Sequence, residues 1–132
     1  MKKLAKEWLE SAFADLKSIE YLLQDDYLTH IVAFHSQQCV EKSFKALLEY
    51  NDKIVPKQHS TLRLYGMVKD FINFEVDENL LSDFDDLYIE SRYPGSFGLL
   101  PNGKPSLEDA KEFYSFSKYI YENVKNLIED ER

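Results

Sequence analysis

The chain has 132 residues, 44% hydrophobic and 30% charged, a composition that fits one globular domain and excludes a disordered chain. Its 24 acidic against 16 basic residues leave a formal net charge of −8, which opposes non-specific binding to nucleic acid or to anionic lipid. Nine Phe, nine Tyr, four Gly and four Pro argue against a turn-rich β fold, and no run of about 18 apolar residues is present to span a membrane.

The chain opens Met1-Lys2-Lys3-Leu4-Ala5-Lys6-Glu7, where charges recur too soon for the apolar stretch of a secretion signal. A first helix is predicted from about Leu4 to Leu23, because Leu4, Trp8, Ala12, Leu16, Ile19 and Leu23 recur at steps of four and three. Glu7, Glu10, Asp15 and Lys17 fall largely off that face. Gln24-Asp25-Asp26-Tyr27 reads as a short connector, with Asp25 or Asp26 able to cap the next helix.

A second helix is predicted over about Leu28 to Tyr50. Val32, Ala33, Cys39, Val40, Phe44, Ala46, Leu47 and Leu48 surround most of its circumference, the pattern of a helix central to a bundle. The remaining side chains Gln38, Glu41, Lys42, Lys45 and Glu49 form one polar stripe roughly 100° wide. Cys39, alone of its kind, has no partner for an internal disulfide or a cysteine metal site, which together with the missing secretion signal points to the cytoplasm.

Residues 51–59 form a loop broken by Pro56. A short helix is predicted from about Thr61, with Ser60 as N-cap and Leu62, Tyr65, Val68 and Ile72 on one face. The next runs from about Glu78 to Ser91 behind an Asp77 cap, with Leu80, Leu81, Phe84, Leu87 and Tyr88 at amphipathic spacing. Residues 93–105 hold three of the four Pro and three of the four Gly, and a loop of that length in a small domain is often functional. Ser106-Leu107-Glu108-Asp109 then opens the last helix with a capping-box pattern, and Ala110, Phe113, Ser117, Ile120, Val124 and Leu127 continue it. The expected fold is all-α: one domain over residues 1–132, an antiparallel up-down bundle of four longer helices plus one short helix.

Three stretches carry a resemblance. They are Trp8-Leu9-Glu10-Ser11-Ala12-Phe13-Ala14-Asp15-Leu16, the block Gln37-Gln38-Cys39-Val40-Glu41-Lys42-Ser43-Phe44-Lys45-Ala46-Leu47-Leu48, and Ser91-Arg92-Tyr93-Pro94 after Tyr88-Ile89-Glu90. The second resembles the Gln-Gln-x-x-Glu-Lys-x-x-Lys-Ala-x-Leu signature of the HEPN family, and the third the Ser-Arg-Tyr-Pro that ends a late helix there. His59, soon after Pro56, matches a Pro-then-His loop between them. The resemblance covers essentially the whole chain. It implies a helical bundle that dimerises, forms a cleft for nucleotide or RNA, and often works beside a small nucleotidyltransferase, in some cases within a toxin–antitoxin pair. Other HEPN branches are metal-independent ribonucleases with an Arg-x(4–6)-His motif. Counting from Arg92, that window holds Phe97, Gly98 and Leu99, and from Arg63 it holds Val68, Lys69 and Asp70. No His stands there, so the resemblance implies binding rather than cleavage.

The candidate binding residues are therefore Arg92, Tyr93, Lys42, Lys45, Glu41, Gln38 and His59. Arg92 can grip a phosphate while Tyr93 stacks on a base; alternatively Arg92 pairs with a carboxylate and Tyr93 packs inside. The lysines of the stripe can meet phosphate and Gln38 or Glu41 a base edge; alternatively the stripe is a solvated face with a Glu41–Lys45 pair. His59 serves either the ligand or a loop hydrogen bond. His30 and His35 lie about 140° apart around a helix, unlike paired metal ligands, and no Gly-rich phosphate loop or nucleophile elbow is present. No catalytic residue, metal or cofactor is expected. The expected partners are a second copy of the chain, a nucleotide or RNA, and a nucleotidyltransferase, with neither membrane nor DNA. The alternatives are a ribonuclease with a divergent acid/base set, such as Arg92 with His59 or Tyr93, and an antitoxin-like subunit without ligand.

Overall fold

The computed structural model describes residues 2–90 and 104–130, and the regular elements among them are all helical. They are α1 (Lys3–Leu22), α2 (Thr29–Tyr50), α3 (Thr61–Val68), α4 (Glu78–Glu90) and α5 (Leu107–Asp130), with 3₁₀ turns at Asp26–Leu28 and Lys69–Phe71. Arg92, Tyr93 and nearly all of the Pro- and Gly-rich loop lie outside the described residues.

The helix starts are set by side chains that accept the first unpaired backbone N–H groups. Asp25 accepts from Tyr27 N ahead of the first 3₁₀ turn, Ser60 Oγ from Arg63 N at α3, and Asp77 from Asn79 N at α4. At α5 the capping box closes in both directions: Asp109 N donates to Ser106 Oγ and Ser106 N to Asp109 Oδ2, both at 3.0 Å.

Pairs of touching residues give the topology. Trp8 with Lys45 and Asp15 with Lys42 run α1 against α2, while Glu20 with Tyr114 and Phe13 with Tyr121 run α1 against α5. Thr29 with Pro105 and Ser36 with Ser117 place α2 and α5 parallel. Glu75 with Tyr119 and Phe84 with Phe113 set α4 antiparallel to α5. This is the up-down order, with α3 a short spur bonded to α4. Helix α2 packs on all four other helices, and its apolar residues Val32, Ala33, Cys39, Val40, Phe44, Ala46, Leu47 and Leu48 are all buried. Of its other apolar residues Ile31 is half-buried and Phe34 is 38% exposed, so most but not all of its apolar surface is covered within the monomer.

Two faces differ from the periodicity reading. On α1 the buried set is Ala5, Leu9, Ala12, Asp15, Leu16 and Ile19, while Leu4 is 54% exposed and Trp8 only partly covered. A step of four residues turns about 400°, so repeated fours drift around the helix, whereas alternating fours and threes stay on one line. The Ala5 set alternates and therefore wins the core. It also brings in Asp15, which the polar pattern had placed off the face. On α3 the buried residues are Thr61, Leu64 and Val68, and Leu62 is 37% exposed. Asp85 of α4 sets that rotation: it takes hydrogen bonds from Thr61 N, Thr61 Oγ1 and Ser60 Oγ, which turns Thr61 inward, and residues three and seven further on go with it.

Candidate functional site

The polar stripe of α2 is neither a solvated face nor a row of unpaired cations. Residues 37, 41 and 45 succeed one another at four-residue steps and meet the loop that precedes α3. Glu41 is the hub. Its Oε2 accepts from Lys45 Nζ at 3.0 Å, and its Oε1 accepts from Gln37 Nε2 at 3.2 Å and lies 3.3 Å from His59 Nδ1. A carboxylate oxygen only accepts, so Nδ1 carries the proton of that bond and Nε2 takes no part in it. The side chains of Glu41 and Lys45 are each 6% exposed, so the four-residue pair expected from sequence forms inside the protein. Gln37, 1% exposed, also donates to the His59 carbonyl at 2.8 Å and accepts from Gln38 Nε2 at 2.7 Å. No buried side-chain polar atom of this network is left without a partner, which is the condition on which buried polar groups are tolerated.

A second buried carboxylate organises the neighbouring row. Asp15 of α1 accepts from Lys42 Nζ and from His35 Nδ1, both at 2.8 Å. Lys42 is thereby neutralised, and α1 is pinned to α2 midway along its length.

The Glu41 network borders a concavity of about 490 Å³, lined by Leu4, Trp8, Lys45, Glu49, Val55, Pro56, Lys57 and His59. That volume falls within the usual range for small-ligand sites, about 300–1,000 Å³. Lys45 Nζ lies 5.5 Å from the Trp8 ring centroid, a cation–π contact that fixes one wall. His59 is half-exposed and stacks on Tyr88 of α4, with centroids 5.2 Å apart. Lys57 is exposed at the rim. The arrangement offers aromatic faces, a half-exposed imidazole and a cation, the groups that hold bases and phosphates.

Of the residues expected from sequence, Glu41, Lys45 and His59 are brought together, Gln38 joins them through Gln37, and Lys42 belongs to the Asp15 cluster. Arg92 and Tyr93 lie outside the described residues. Sequence reasoning missed Gln37, Trp8, Tyr88 and Asp15. The signal for Gln37 was its four-residue spacing to Glu41; for Trp8 and Asp15 nothing short of the correct α1 rotation would have served. Cys39 takes no part: burial, then the nearby Asp15 carboxylate, pushes its thiol far above the ordinary range and keeps it protonated. Among the described residues, no three His, Cys, Asp or Glu side chains gather as a metal site would need. No helix among them is long and apolar enough to cross a membrane.

Comparison with known proteins gives two matches. The sequence profile of the HEPN domain matches residues 5–127. A protein of Methanocaldococcus jannaschii named "Putative toxin MJ1304" is 29% identical, the alignment covering 97% of this chain and 90% of the relative. No solved structure matches significantly.

Proposed function

The chain belongs to the HEPN domain family, and on that premise we propose that it is a non-catalytic module that binds RNA or a nucleotide. The observation that carries this reading is the setting of His59, which is held by Glu41, stacked on Tyr88 and turned to the rim of a concavity that Trp8 and Lys57 share. Aromatic faces take bases by stacking and an ammonium takes phosphate. The net charge of −8 acts as a filter, since a polyanion is repelled wherever such groups do not collect. In this reading Lys45, neutralised by Glu41, holds the Trp8 wall, Lys42, neutralised by Asp15, ties α1 to α2, and Gln38 steadies Gln37. Arg92 and Tyr93 come soon after Tyr88 in sequence, and in this reading they grip a phosphate and stack on a base. Phe97, Gly98 and Leu99 fill the window where the ribonuclease branch has its His, which removes a group worth about 10²–10⁴ in rate.

We extend the proposal to assembly: a homodimer, acting in the cytoplasm with a small nucleotidyltransferase. Exposed aromatics support the dimer, with Phe13 at 48%, Tyr21 at 75% and Tyr27 at 71%. Light scattering should return about twice the chain mass; a value near 15.6 kDa at micromolar concentration would exclude the dimer.

A second reading has specific support. A His held by a carboxylate is the arrangement of a general base, and the relative from Methanocaldococcus jannaschii is named a toxin. The chain would then cleave RNA with His59 as its acid/base. Titration of the protein with a short RNA of mixed sequence, with electrophoresis of the same samples, separates the readings. We expect saturable, salt-sensitive binding, weakened in His59→Ala and Lys57→Ala, unchanged in Lys125→Ala, with the RNA intact. Metal-free cleavage that disappears in His59→Ala selects the ribonuclease. Absence of binding at millimolar concentration rejects both and leaves an interaction subunit without ligand.

A further inference from the structure

Glu49 continues the polar stripe of α2 beyond Lys45 and lines the concavity beside Trp8. Unlike Glu41, Glu49 is only half-buried, and its carboxylate takes no hydrogen bond or ion pair among the described residues. A carboxylate on the wall of a concavity with no protein donor is an acceptor open to a ligand that brings donors. Resting on the reading of this concavity as a nucleotide or RNA site, we propose that it selects guanine, and that Glu49 is the residue that selects it.

The base edges decide this. A carboxylate has two oxygens and no proton to give. Guanine presents N1–H and the N2 amino group side by side, two parallel donors that match two acceptors. Adenine and cytosine each place a ring acceptor beside their amino group, and uracil flanks its single N3–H with carbonyl oxygens; in all three a carboxylate faces a lone pair. The rest of the wall suits a base rather than another bidentate donor. Trp8, Val55 and Pro56 give it flat apolar cover, and Lys57 stands at the rim for the phosphate. An arginine side chain offers the same pair of donors, but Lys57 also lines the concavity and repels a cation.

Calorimetric titration of the full-length protein with GMP, AMP, CMP, UMP and a short mixed-sequence RNA tests the assignment, beside the variant Glu49→Gln. GMP should bind the wild type about tenfold or more tighter than the other three nucleotides, the low end of what one bidentate base contact discriminates. Glu49→Gln, which replaces one acceptor oxygen by a donor, should abolish that preference while leaving the affinity for UMP within about twofold and the melting temperature unchanged. Equal affinity for all four nucleotides, or a guanine preference that survives in Glu49→Gln, overturns the role of Glu49 while RNA binding still supports the cleft. Loss of both nucleotide and RNA binding in the wild type overturns the cleft itself. Tighter capture of an arginine amide than of GMP overturns the nucleotide assignment.

Discussion

Replacing Glu41 by alanine removes the acceptor on which three donors converge. Lys45, whose side chain is 6% exposed, is left with its ammonium buried and without a counter-charge, and Gln37 and His59 each lose a partner. Removing one member of a buried ion pair costs about 3–5 kcal/mol, most of it the desolvation of the charge left behind. For a domain of this size about 1 kcal/mol corresponds to about 4 °C, so the melting temperature should fall by about 12–20 °C. A companion variant, Glu41→Leu with Lys45→Met, removes both charges and fills the space; on the same physics it should be near the wild type or above it. Circular dichroism melts with urea titrations of both variants provide the comparison. If Glu41→Ala costs less than about 1 kcal/mol, the pair behaves as a solvated one and the buried network is refuted. If the double variant is as unstable as the single one, packing around Glu41 rather than its charge carries the effect.

Asp85 takes four hydrogen bonds, from Ser60 Oγ, Thr61 N, Thr61 Oγ1 and Leu62 N, so Asp85→Ala should cost about 2–3 kcal/mol in urea titration and loosen α3 first by hydrogen exchange. Gly66 lies mid-helix, and a methyl group placed on its Cα would meet nothing within 4 Å, so Gly66→Ala should stabilise by about 0.5–1 kcal/mol; a loss would mean that α3 is not helical there. Burial, then the carboxylates of Asp86, Asp77 and Asp109, raises the Asp83 pKa above 3.8. Its ionised form is therefore penalised more in the folded than in the unfolded state, and the penalty is complete above the folded pKa. Asp83→Asn should raise the melting temperature at pH 7, and the gain should shrink as pH falls through the folded pKa and vanish well below 3.8, where Asp83 is protonated in both states. A gain that persists in acid would remove electrostatics as its cause.

The helices were legible because their starts and periods are local properties: Ser60, Asp77 and the Ser106–Asp109 box mark helix starts whichever way the helix later turns. The rotation of α1 was not legible. Two apolar lines overlap on it, one through Leu4 and Trp8 and one through Ala5 and Leu9, and only the fit against α2 chooses between them. That single choice hid Asp15 in the polar set and Trp8 in the core set, and with them the Lys42 partner and one wall of the candidate site. The stripe of α2 was legible as a stripe, but whether Lys45 meets a phosphate or a carboxylate depends on its burial, which is a property of the packed bundle. His59 could be suspected from its loop; its contact with Glu41, 18 residues earlier, could not.

The chain contains a single tryptophan, Trp8, and it lines the proposed cleft, so its fluorescence reports on that place alone. Titrating the wild type and His59→Ala with a short mixed-sequence RNA, while monitoring Trp8 emission and the integrity of the RNA together, tests the binding-module account most directly. The account predicts a saturable change in emission that weakens with added salt, is reduced in His59→Ala, and leaves the RNA whole. An emission that stays constant to millimolar ligand, or RNA that is cut as the signal develops, would contradict it.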